Sequence, residues 1–149
     1  MDRRKFLGLG LTAVVLAPMT ASALDFRKEK PKAWTAHKVD EAVKALYGDV
    51  KLEESDKISL KTPKIASNGG AVPITIKSDI EAKTVTLLQD VNPESAVATW
   101  NVPDGGIVNF SLKIKMKGSG KVVAVIEGKD GKFYTASKSM EVALGGCEG

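Results

Sequence analysis

The sequence predicts a mainly β protein, an antiparallel sandwich with one short N-terminal helix. Three observations predict it. From Ile58 onward apolar residues alternate with polar ones, a period of two that suits half-buried strands. Turn-forming pairs and triplets punctuate these runs at even spacing. No second helical pattern interrupts them, which argues for strands pairing with their neighbours rather than through helical crossovers.

The helix comes first. Val39, Ala42, Val43, Leu46 and Tyr47 recur at helical spacing, and Gly48 follows as a terminator. Thr35 is the expected N-cap, with Trp34 and Val39 placed to close a hydrophobic staple, so the helix is expected over 35–47. The strands follow in order. Val72, Ile74 and Ile76 form one stripe, Val85 and Leu87 a second, and Ala98, Trp100 and Val102 a third. The longest is Val108, Phe110, Leu112, Ile114 and Met116, alternating with Asn109, Ser111, Lys113 and Lys115. Residues 121–127 are nearly continuous Val, Ala and Ile, the pattern of a strand covered on both faces. Met140, Val142 and Leu144 make the last stripe. Asn68-Gly69-Gly70, Asp104-Gly105-Gly106, Gly118-Ser119-Gly120 and Asp130-Gly131 supply the turns. About seven strands in this arrangement point to immunoglobulin-like topology. Trp100, Met116 and Met140 fall on these stripes and are read as packing.

An apolar fraction of 43% supports one domain with a real core, filled by aliphatic residues because aromatics are only 5%. The organisation expected is a leader at 1–23, a flexible charged segment at 24–34, the helix and sandwich at 35–144, and a glycine-rich arm at 145–149. Arg3 and Arg4 precede an apolar run, Phe6 to Ala17, too short to span a bilayer, and Ala21-Ser22-Ala23 has the small-x-small form of a cleavage site. The run Asp2-Arg3-Arg4-Lys5-Phe6-Leu7-Gly8 resembles a twin-arginine export signal, which implies a periplasmic protein with no membrane anchor after cleavage. Loss of the leader removes three basic residues and Asp2, lowering the formal charge from +4 to about +2. The remaining lysines are scattered, without the aromatic or arginine interleaving that grips a phosphate backbone, so no nucleic-acid partner is expected.

The chain has a single cysteine, Cys147, inside Gly145-Gly146-Cys147-Glu148-Gly149. Nothing in the sequence directs the sole histidine, His37, toward it, and a glycine tether does not hold the fixed geometry of a catalytic thiol. With one cysteine and one histidine, no metal site is expected, and no cofactor. A tethered thiol is better suited to entering another protein's active site and bonding reversibly to sulfur. Two other readings stand beside this one: a fortuitous surface thiol, and an exported structural or adaptor sandwich that binds a partner by a strand edge or a lasting intermolecular disulfide.

The export signal, the short helix, the run from Thr62 to Ile74 (TPKIASNGGAVPI), Asn92-Pro93 before a strand, and the Gly-Gly-Cys terminus together resemble the SoxY family, carriers of the thiosulfate-oxidising Sox system. The resemblance implies an immunoglobulin-like sandwich paired with a SoxZ-like β-sandwich subunit as a heterodimer. It implies that Cys147 is joined to thiosulfate by a c-type cytochrome complex. A dimanganese hydrolase then releases sulfate, and in some organisms a sulfane dehydrogenase acts on the remaining sulfur. The carrier itself is then no enzyme. Glu148 departs from the family terminus, commonly Gly-Gly-Cys-Gly-Gly; its carboxylate disfavours thiolate and repels anions, weakly because salt screens an exposed charge.

Overall fold

A computed structural model describes residues 24–143. The leader at 1–23 and residues 144–149 lie outside it, and with them Arg3, Arg4, Leu144 and the whole arm.

The described chain forms nine strands: β1 (Leu52–Glu54), β2 (Ile58–Lys61), β3 (Ile65–Ala66), β4 (Val72–Ser78), β5 (Ala82–Gln89), β6 (Ala96–Asn101), β7 (Val108–Ile114), β8 (Gly120–Gly128) and β9 (Phe133–Val142). They make two sheets, β1-β9-β8-β5-β6 with β3 also paired to β9, and β2-β4-β7. The expected sandwich is present. Its core is the two inner faces: Ile74, Ile76 and Val108 from the smaller sheet meet Val85, Leu87, Val122, Ala124 and Ile126 from the larger. Trp100 on β6 stacks on Phe110 on β7 at 4.7 Å and nearly parallel, bridging the two edge strands on one side. Met116 and Met140 are buried as packing residues.

Two strands were not expected. β1 and β3 each run parallel to β9, pairing Leu52 with Phe133 and Ile65 with Glu141. Strands of two or three residues carry no readable period; the long partner β9 specifies them. β9 itself begins at Phe133, well before the Met140 stripe, because its first half lies between β8 and β1.

The expected double coverage of β8 holds. Val122, Ala124 and Ile126 face the sandwich core, while Val123 and Val125 face outward under helix α2 (Val39–Tyr47; the chain's first helix is α1, Phe26–Glu29), where Ala42 and Val43 cover them. Each buried valine and isoleucine here contributes roughly 1.5–3 kcal/mol. Tyr47 also reaches the sheet: its hydroxyl bonds Thr84 Oγ1 at 2.8 Å and Thr86 Oγ1 at 2.7 Å. Gly48 ends the helix with φ 81°, a conformation costly for other residues.

Two expectations about this region are corrected. The segment 24–34 is folded: α1 is capped by Asp25, a 3₁₀ turn spans Pro31–Trp34, and Phe26 and Ala33 are buried. Helix α2 begins at Val39 and Thr35 is not its N-cap; Thr35 closes the 3₁₀ turn and its hydroxyl donates to Lys32 O. Tertiary bonds decide this. Trp34 Nε1 donates to Phe26 O, Ser95 N to Ala36 O, and His37 Nδ1 to Pro93 O, which holds residues 35–38 against the β5–β6 loop. His37 therefore lies before the helix rather than in it.

Candidate functional site: the root of the C-terminal arm

Cys147, Gly145, Gly146, Glu148 and Gly149 lie outside the described residues, so the site visible here is the root from which the chain continues toward them. That root is the end of β9. Glu141 N donates to Lys64 O and Ala143 N to Ala66 O, both at 2.9 Å, while Val142 N donates to Ser119 Oγ at 2.9 Å. The last described residues are thus fastened on one side to β3 and touched by the β7–β8 loop.

These loops are themselves tied together. Met116 N donates to Gly69 O, linking the β7–β8 loop to the β3–β4 turn. Asn92 donates from Nδ2 to Lys115 O and accepts at Oδ1 from Lys117 N, tying in the β5–β6 loop. Asp90 Oδ1 accepts from Lys121 N at 2.7 Å. Gly120 is required beside it, because a Cβ there would collide with the Asp90 and Val91 side chains. Gln89, fully buried, organises the loop from within: Nε2 donates to Glu94 O, and Oε1 accepts from Val91 N and Asn92 N, all at 2.7 Å. Thr62–Ile74 and Asn92-Pro93, remote in sequence, are linked at this end of the sandwich through residues 115–117.

Around the root stand exposed Lys64, Lys115 and Lys117 with Asp90, Glu94 and exposed Glu141, and Asp90 accepts from Lys121 N. At the opposite end stand Asp56, Asp79, Glu81, Asp104 and Asp130 with Lys51, Lys57, Lys129 and Lys132. There Lys129 donates to Asp104 at 2.7 Å, which lowers the pKa of Asp104 and raises that of Lys129. Tyr134 donates to Asp130; that bond holds the Asp130 carboxyl below its ordinary value and pushes the Tyr134 hydroxyl up. Among the described residues the ion pairs are Lys28–Asp25, Lys44–Asp49 and Lys129–Asp104, none at the root.

A shallow groove of about 400 Å³ on the outer face of the larger sheet is lined by His37, Lys38, Asp90 and Lys121 among others. His37 Nδ1 must carry the proton it donates to Pro93 O, which leaves Nε2 as the ring's other polar atom. Among the described residues no group of His, Cys, Asp and Glu could hold a metal ion, and no helix is long and apolar enough to cross a membrane.

Fold and root define a β-sandwich whose last strand hands the chain on to a terminal Gly-Gly-Cys segment. Residues 43–147 match the family described as "Sulfur oxidation protein SoxY", and the chain belongs to that family. A sulfur carrier protein SoxY from Chlorobium limicola f thiosulfatophilum is similar in structure: 30% identical, TM-score 0.66, with 72% of this chain and 97% of that one covered. A superoxide reductase (neelaredoxin) from Ignicoccus hospitalis shares the fold alone, at 11% identity and TM-score 0.54 over 62% of this chain and 94% of that one. No curated protein matches the sequence.

Sequence reasoning named the arm but not its root. The roles of Asn92 and Ser119 escaped it, because they are hydrogen bonds to residues distant in sequence, and Gln89 escaped it because its bonds to its own loop leave no pattern in the residues. A signal existed for Asn92: it precedes proline and a strand, a place where a side chain that caps a loop is common.

Proposed function

We propose that this protein is a periplasmic, non-enzymatic sulfur carrier that holds thiosulfate-derived intermediates on Cys147 and presents them to the enzymes of a Sox system. The observation that carries this reading is the family match, which runs to residue 147, the chain's only cysteine. The leader at 1–23 with Arg3 and Arg4 supports export, and Gly145, Gly146, Glu148 and Gly149 form the tether.

The chemistry is two steps on one sulfur. The Cys147 thiolate and the outer sulfur of thiosulfate join into a disulfide-type bond, giving Cys–S–S–SO₃⁻ and releasing two electrons to a c-type cytochrome complex; a thiol also releases its proton. Water then cleaves the bond to the sulfonate group, releasing sulfate and two protons and leaving Cys–S–S⁻, the work of a dimanganese hydrolase. A sulfane dehydrogenase is the candidate for what remains. A SoxZ-like sandwich is the proposed heterodimer partner. The carrier contributes position and a reversible bond, and the catalytic groups belong to its partners.

Mass spectrometry of the mature protein incubated with thiosulfate and the cytochrome complex tests this. A reductant-labile thiosulfonate adduct is expected on the C-terminal peptide and absent from Cys147→Ser. Wild-type thiosulfate oxidation by the Ser variant would sink the reading.

A further inference from the structure

We propose that Glu127 orders the protons of a hydroxyl chain, Thr99, Thr86, Tyr47 and Thr84, and that this ordered chain latches the last turn of helix α2 onto the larger sheet. The device goes beyond the carrier reading and does not depend on it, since it needs nothing from Cys147.

The fold assembles the chain from α2, β5, β6 and β8. Thr84 and Thr86 are alternate residues of β5, so they share one face of the sheet. The register puts Thr99 of β6 opposite Thr86 and Glu127 of β8 opposite Thr84. Helix α2 brings Tyr47 over this face, where Val43 packs in one cluster with Val125. The contacts then run without a break. Thr99 Oγ1 lies 2.9 Å from Thr86 Oγ1, which lies 2.7 Å from the Tyr47 hydroxyl. That hydroxyl lies 2.8 Å from Thr84 Oγ1, and Thr84 Oγ1 donates to Glu127 Oε2 at 3.0 Å. Thr86 is fully buried and Thr84 nearly so.

One charge decides every proton in this series. A hydroxyl has a single hydrogen to donate, and a carboxylate only accepts. Thr84 gives its hydrogen to Glu127, so Tyr47 must donate to Thr84. Tyr47 then has none left for Thr86, so Thr86 donates to Tyr47 and Thr99 to Thr86. Reversing any one of these bonds leaves a contact elsewhere in the series with no hydrogen between its oxygens. Tyr47 keeps the hydrogen it gives: burial is the largest cause of its raised pKa, and the charge of Glu127 acts in the same direction.

The latch matters because α2 is short. A nine-residue helix is marginal by itself and depends on what it packs against. The residues before it are fixed by Ser95 N on Ala36 O and by His37 on Pro93 O. Its last turn is held by the Tyr47 hydroxyl. A bond accepted by an ionised carboxylate is about twice as strong as a neutral one, and it polarises the bonds behind it. Glu127 thus strengthens the hold on the helix through Thr84.

The test is NMR of the full mature chain at neutral pH. In the wild type the hydroxyl proton of Tyr47 is expected to show stronger through-space contacts to Thr84 than to Thr86. Glu127→Gln keeps the capacity to bond but removes the charge, so both directions become available and the contact to Thr86 should grow. Exchange of the Gly48 amide, which donates to Lys44 O at the end of the helix, should accelerate several-fold. The Ala42 amide, which donates to Lys38 O at its start, should change less than about twofold. The control Glu54→Gln removes an exposed charge on β1 and should alter neither. With Thr84→Val already present, adding Glu127→Gln should leave Gly48 exchange where it was, because the carboxylate acts through that hydroxyl. Should Glu127→Gln fold poorly, the wild-type contacts of the Tyr47 proton still decide the direction. A Tyr47 proton that faces Thr86 in the wild type overturns the ordering. Gly48 exchange unmoved by Glu127→Gln, or moved equally with Thr84→Val present, overturns the latch.

Discussion

The backbone N–H of Ala143 donates to the carbonyl of Ala66 at 2.9 Å, the last described bond before the chain continues toward Cys147. A two-residue strand thereby fixes the last described residue. Together with the Glu141–Lys64 bond it commits the end of β9 to the sheet.

Ser119 is the neighbouring fastening. In Ser119→Ala the N–H of Val142 loses its acceptor at an exposed position where water replaces it, so global stability should fall by no more than about 1 kcal/mol. Exchange of the Val142 amide should nevertheless accelerate relative to the Ala143 amide. Unchanged exchange at Val142 would show that the hydroxyl does not protect it.

Gln89 should be far more sensitive. Gln89→Ala removes a fully buried side chain and leaves the part-buried Val91 N, Asn92 N and Glu94 O without their partner, at a cost of about 2–4 kcal/mol in chemical denaturation. Because Asn92 ties this loop to Lys115 and Lys117, their amide resonances should shift as well.

Tyr47 gives a pH prediction. Burial is the main cause of its raised pKa, opposed by its bonds to Thr84 and Thr86. The folded chain therefore keeps the phenolic proton at a pH where the unfolded chain has begun to lose it. The stability this supplies is fully present below about pH 10 and is lost as pH climbs from there through the folded-state value. Tyr47→Phe should cost about 1 kcal/mol at neutral pH, since Thr84 still donates to Glu127 and Thr86 still bonds Thr99. It should also flatten the decline in stability above pH 10; an unaltered alkaline limb would count against the assignment.

Asp130 and Tyr134 predict the opposite limb. The Tyr134 hydroxyl is the largest cause of the lowered Asp130 pKa, followed by the backbone N–H of Lys132. A depressed carboxyl stabilises the fold above its unfolded value, and that contribution is lost as pH falls through the folded one. In Tyr134→Phe the NMR titration midpoint of Asp130 should move upward toward the ordinary aspartate value. A midpoint that stays in place would assign the effect to Lys132.

The sandwich, the doubly covered strand at 121–127 and the glycine that ends the helix were all legible in the residues. Each is a local signal: a period of two, a run of apolar residues, a residue tolerant of positive φ. The start of helix α2 at Val39 was not legible, since His37 and Ser95 hold the preceding residues to the β5–β6 loop against the local capping signal at Thr35. Nor was the gathering of residues 62–71 and 115–119 around Ala143, with residues 90–95 tied to the second of them. Loops far apart along a chain become neighbours only when antiparallel pairing sorts alternate turns to opposite ends of a sheet, and that sorting depends on partners dozens of residues apart.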